Sequence, residues 1–120
     1  MAALSKEQIL SCNDLAQEVV NIPEWGGDVV VRCLTGEERD ELEKLTFKEK
    51  SDGTREIDLQ NFRAKLISLC VVDENGQRMF SSEDALLLSK KSAKAIDRVF
   101  VAAEKLSGLR REDEDKALKN

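Results

Sequence analysis

Ile22-Pro23-Glu24-Trp25-Gly26-Gly27-Asp28-Val29-Val30-Val31-Arg32-Cys33-Leu34-Thr35-Gly36-Glu37-Glu38-Arg39 is the stretch on which the reading of this chain turns. Two apolar runs, Val19-Val20-Asn21-Ile22 and Val29-Val30-Val31, flank a cluster of Pro and Gly. β-Branched runs bounded by such residues read as a hairpin, here with strands over residues 18–22 and 28–34. Pro23 has no amide to donate and so belongs at a strand end, while Gly26-Gly27 supply the freedom to reverse. The second strand runs into Thr35-Gly36-Glu37-Glu38, a capping box in which the Glu38 side chain reaches back to the Thr35 amide. Trp25, the only tryptophan, stands in the turn. It either caps one end of the core or offers an anchor to a partner.

Upstream, Ser5-Lys6-Glu7-Gln8 is a second capping box, with Leu4 and Ile9 placed for a hydrophobic staple on a short helix ending near Cys12. Downstream, residues 35–45 read as an outer acidic helix whose apolar stripe is only Leu42 and Leu45. Arg39/Glu43 and Asp40/Lys44 form opposite-charge pairs along it. Residues 47–57 read as a polar loop with an Asp52-Gly53 turn. From Asp58 as N-cap, Leu59, Phe62, Leu66, Ile67, Leu69 and Cys70 recur at helical spacing, the core helix of the chain.

Asn75-Gly76 marks a turn between Cys70-Val71-Val72 and Arg78-Met79-Phe80, a small second ribbon. Leu86, Leu87 and Leu88 are consecutive and cannot share one helix face. Either the fold covers both sides, or a leucine is left exposed for a partner. Together with Trp25 these three are the candidate contact residues. The last helix, from Ser92, carries Ala93, Ile96, Val99, Phe100, Ala103 and Leu106 in one stripe and ends at Gly108 with Leu109 packing back. The reading is an α+β fold, mainly α, with an N-terminal β-hairpin packed on a small bundle of about four helices. One domain spans residues 1–109, and a charged tail spans 110–120.

Composition narrows the chemistry. The chain has no histidine, which removes the commonest general base and metal ligand. Cys12, Cys33 and Cys70 are odd in number and form no CxxC pair, against a zinc site or a disulfide framework and in favour of a reducing compartment. Asp73-Glu74-Asn75-Gly76 has its glycine too early for a calcium loop. Gly26-Gly27 lacks the following Lys of a phosphate loop. No carboxylate pair or activated serine stands out, so no catalytic residue, metal ligand or cofactor is assigned. A net charge of −5 argues against nucleic acid and anionic membranes as partners, although Lys90, Lys91, Lys94 and Arg98 form one basic cluster. No apolar run approaches the roughly 20 residues of a membrane span, and Met1-Ala2-Ala3-Leu4 is too short for a signal peptide.

Taken in order, these residues resemble the tail assembly chaperones of long-tailed bacteriophages and prophages. The resemblance runs through Ile22-Pro23-Glu24-Trp25-Gly26-Gly27, then Val29, Val31-Arg32, Leu34-Thr35-Gly36 and Glu38-Arg39. It continues in Arg63-Ala64, Asp73-Glu74-Asn75-Gly76-Gln77-Arg78, Phe80, Leu88 and Lys91-Ser92-Ala93 with Ala95, and the opening Leu4–Ile9 fits it too. It implies a non-enzymatic protein of the infected cell's cytoplasm that binds the tape measure protein and promotes tail tube assembly, with the major tail tube protein as a further partner. It also implies self-association, absence from the mature virion and a longer form made by translational frameshift. Two rivals stand beside it: a structural neck or tail-completion protein retained in the virion, and a small nucleic-acid-binding regulator using the Lys90–Arg98 cluster.

Overall fold

The computed structural model describes residues 2–109; the charged tail expected at 110–120 lies outside the described residues. Strands β1 (Gln17–Ile22) and β2 (Gly27–Arg32) form the hairpin, in register from Gln17↔Arg32 to Ile22↔Gly27. Between them Pro23–Trp25 make one turn of 3-10 helix, closed by the Gly26 amide donating to the Pro23 carbonyl at 3.1 Å. Gly26 carries the turn's left-handed backbone (φ 76°), a conformation that strains residues with a Cβ. A hairpin alone is marginal in water. A further strand, β5 (Val71–Val72), supports this one by pairing antiparallel with β2 at Val30↔Val72 and Val31↔Val71.

Alternation then sorts the valines. Val20, Ile22, Val31 and Val71 face the helices, whereas Val19, Val30 and Val72 line up across the opposite face. Exposure along that outer row is graded, from 61% at Val19 to 1% at Val72. The segment after Val72 returns along the free edge of β5, through a bridge from Val72 to Arg78 and a Met79 amide bond to the Val71 carbonyl.

Among the described residues, five helices join the strands: α1 (Lys6–Ser11), α2 (Gly36–Thr46), α3 (Phe62–Cys70), α4 (Ala85–Leu88) and α5 (Ala93–Leu106). They do not make a bundle of their own. Helix α3 sits centrally against α2, α4 and α5, and α5 lies across β1 and β2. The expected core helix is therefore enclosed, not merely amphipathic: Leu66, Ile67, Ser68, Leu69 and Cys70 are all buried. Phe62 meets Phe100 edge-on, with ring centroids 6.2 Å apart, and the Arg63 guanidinium lies over the same ring. Helix α5 ends as its sequence implies. Gly108 adopts φ 69°, the Leu109 amide bonds to the Glu104 carbonyl at 3.0 Å, and Leu109 packs on the core. The class is mixed α/β.

Four expectations need correction. The polar stretch at 47–57 is a second hairpin, β3 (Phe47–Glu49) with β4 (Arg55–Ile57), because the Asp52-Gly53 turn brings Lys50 and Thr54 into a 2.7 Å backbone bond. Asp58 does not cap α3. Its carboxylate accepts the Gln60 amide and sits near Lys48 and Lys65, and the helix begins only at Phe62, after a left-handed Asn61. Leu59 is consequently exposed, as is Ala93 at the start of α5. Helix α1 keeps its capping box, yet it buries nothing, and both staple residues, Leu4 and Ile9, face outward.

The capping box at Thr35 is the best-connected point of the fold. Glu38 Oε1 accepts the Thr35 amide at 3.0 Å while the Thr35 hydroxyl accepts the Glu38 amide at 3.1 Å. The same carboxylate receives Arg32 Nη2 at 2.6 and 2.7 Å. Arg32 also donates to the Gly76 carbonyl at 3.4 Å. Arg78 lies beside the pair, its Nε 3.9 Å from Glu38 and its Nη1 donating to Glu41 at 3.2 Å. Two arginines and two glutamates thus balance, with Glu38 7% exposed. Removing one partner strands the other charges in a poorly hydrated site, at a cost of about 3–5 kcal/mol. Glu38→Ala is expected to lower stability in urea by about that much. Glu38→Gln, which keeps an oxygen for the Thr35 amide, should lose clearly less. Equal stability of Glu38→Ala and wild type would remove the cluster from the account.

Burial also pushes the Cys70 thiol up to about 12 from an ordinary 9.0, with Ser107 Oγ at 4.0 Å opposing the shift. A raised folded value means that this group's contribution to stability is complete below about 9 and is lost as pH climbs toward 12. At pH 8 a thiol-reactive dye should therefore label exposed Cys12 at once and Cys70 only after denaturation.

Candidate functional site: an apolar groove beside Trp25

The turn that reverses the first hairpin also builds the wall of a groove. Glu24 in that turn is paired with Arg98 on α5, which pins the loop to a helix 74 residues away in sequence. Trp25 follows immediately, half-exposed at 37%. Beside it opens a cavity of 530 Å³, whose walls are Val29 and Val30 on β2 and Val71 and Val72 on β5. Ile67 of α3 and Leu88 of α4 close the inner side, and Met79 and Phe80 the far side. A further 280 Å³ continues past Met79, Phe80 and Leu88 to Leu87 and Lys91. The two share Met79, Phe80 and Leu88 and so adjoin, one beside Trp25 and the other beside Leu87. The volume suits a few side chains of a partner.

The charged residues edging the larger part are all acidic, Asp28, Asp73 and Glu74, whereas Asp84 and Lys91 both edge the smaller. Asp28 accepts a bond from Asn21 at 2.9 Å, and Asp73 Oδ1 accepts the amides of Asn75 and Gln77 at 2.8 and 3.0 Å. These are neutral donors and leave the charges standing. Asp73–Gln77 form a turn, with Gly76 at φ 79°. Among the described residues no group of carboxylates, cysteines and histidines could hold a metal ion. No described helix is long and apolar enough to cross a membrane.

The four candidate contact residues separate. Trp25, Leu87 and Leu88 come together around the groove, whereas Leu86 does not line it. Leu88 is 6% exposed and belongs to the core, so it forms the floor and is not a free surface leucine. Leu86 and Leu87 are 59% and 64% exposed, which answers the question raised by three leucines in a row: the fold covers only one side of α4. Met79, at 54% exposure, was missed by sequence reasoning. Its only signal was an apolar residue two places beyond a turn; its position depends on the pairing of β5 with β2, which no local pattern announces. The basic cluster is less than its sequence suggests, because Arg98 is held by Glu24.

These assignments predict a contrast. Leu88→Ala should cost about 2–5 kcal/mol of stability. Leu86→Ser and Leu87→Ser should stay within about 0.5 kcal/mol of wild type. Denaturant midpoints of the three variants check this directly. A large loss at Leu87 would mean that the leucine is structural.

Comparison with known proteins bears on identity. The chain is similar to the tail assembly chaperone of bacteriophage HK97, with 17% identity over 85% of this chain and 86% of that one, at a TM-score of 0.49. No curated protein matches it. A family model described as phage tail assembly chaperone matches residues 6–119, nearly the whole length. The chain belongs to the phage tail assembly chaperone family.

Proposed function

We propose that this protein is a holding chaperone that binds the phage tape measure protein through the groove beside Trp25 and so promotes tail tube assembly. Membership of the family supplies the biological setting. The observation that carries the reading is the pair of adjoining apolar cavities beside Trp25 and Leu87, with Met79 and Leu87 exposed at their lining, on a chain of net charge −5. A holdase needs both properties at once: apolar surface to occupy a client's apolar segments, and enough like charge to keep the complex dispersed. The role calls for no reaction, cofactor or metal. It places the protein in the host cytoplasm during assembly, outside the mature virion, with the major tail tube protein as a second contact. Several copies along one tape measure protein would bring self-association.

Coexpression with the tape measure protein of the same phage tests the reading. The wild-type chain should move most of that protein into the soluble fraction and co-purify with it. Met79→Asp combined with Leu87→Asp should abolish both effects, while Leu10→Asp on the unpacked helix α1 should leave them intact. Equal precipitation of the tape measure protein with and without this chain would end the proposal. Mass spectrometry of purified virions addresses the rival reading, since a retained neck protein would be found there in fixed stoichiometry.

A further inference from the structure

We infer that the groove selects client segments whose apolar residues are flanked by lysine or arginine; this rests on the groove being the client site. The larger cavity combines an apolar floor with carboxylates from Asp28, Asp73 and Glu74, and no lysine or arginine lines it. None of these three acids forms an ion pair with a described residue. What sets the three apart from other unpaired acids of the chain is their place around one apolar cavity. The rim is thus a local concentration of uncompensated negative charge around a low-polarity surface. Such a rim repels acidic flanks and draws basic ones, while the floor takes the apolar residues between them.

Recognition at this site runs through side chains. The outer edge of β5 is already covered by the Val72–Arg78 bridge and by the Met79 amide on the Val71 carbonyl, so a client cannot add there as a strand. Met79 itself is unbranched and adaptable, suited to apolar residues of differing shape. The site therefore reads charge strictly at its border and shape loosely at its floor.

The test uses three tryptophan-free peptides with one leucine-rich centre and lysine, glutamine or glutamate flanks. Trp25, the sole tryptophan, reports binding by its emission. The lysine-flanked peptide should bind about tenfold or more tightly than the glutamate-flanked one at low salt. The gap should shrink once added salt brings the screening length to about 10 Å or less. Asp28→Lys with Glu74→Lys should reverse the order, with an unchanged unfolding midpoint confirming the fold. Glu37→Lys with Asp40→Lys, an equal charge change on α2, should leave the preference as it was.

Equal affinity for the three peptides, or reversal by the α2 variant, would overturn the inference while leaving the chaperone reading in place. Failure of every peptide to shift Trp25, with coexpression still effective, would remove the groove as the site altogether. Concentration-dependent self-assembly abolished by Met79→Asp would assign the groove to a second copy, and would overturn the inference equally.

Discussion

The carboxylate of Glu38 is the constraint on which most of this structure depends. One side chain closes the N-terminus of α2, neutralises Arg32 at the end of β2 and faces Arg78 in the segment that returns along the sheet edge. Two neighbouring elements and one some forty residues further on are thereby held at one point. A capping box ordinarily serves only its own helix. Here the Glu is buried, so its second role follows from electrostatics: a carboxylate taken out of water needs a cation, and Arg32 supplies one at hydrogen-bonding distance. The arginine in turn needs acceptors, and the Gly76 carbonyl is one of them. That bond helps to set the Asp73–Gln77 turn against the hairpin, and with it the acidic edge of the groove.

The apolar surface divides along the same lines. Residues facing α3 and α5 are sealed into a single cluster around Ile22, Val31, Leu66 and Val99. On the other face of the sheet Val72 is buried, Val30 half-covered and Val19 open. The groove opens beside Val30 and Val72, at the end of that row nearer the buried strand.

Much of this was legible residue by residue. Pro23, the β-branched runs and the Thr35–Glu38 box define the first hairpin and the start of α2, because each of those signals acts within a few positions. Gly108 and Leu109 end α5 for the same reason. The misreadings all concern tertiary context. Asp58 looks like an N-cap, but two lysines and the Gln60 amide hold its side chain, delaying the helix to Phe62. The 47–57 hairpin hides behind a polar sequence, since strands exposed on every residue show no alternation. The pairing of β5 with β2 joins residues some forty positions apart, and the two-residue strand is too short to announce itself. The groove depends on that pairing. Of its residues, only Trp25, Leu87 and Leu88 could be nominated beforehand.

The link between Glu24 and Arg98 bears on when the protein becomes competent. The first hairpin consists of local contacts and can form early, but its turn is fastened by a residue close to the end of the described chain. A second fastening lies at the C-terminal end of the same helix, where the Leu34 amide donates to Ser107 Oγ at 3.0 Å. A chain still emerging from the ribosome therefore has the strands and the tryptophan but not their backing. Synthesis must pass through α5 before the groove acquires a fixed wall, and a copy cut short before Arg98 lacks the cation that fastens the turn beside Trp25.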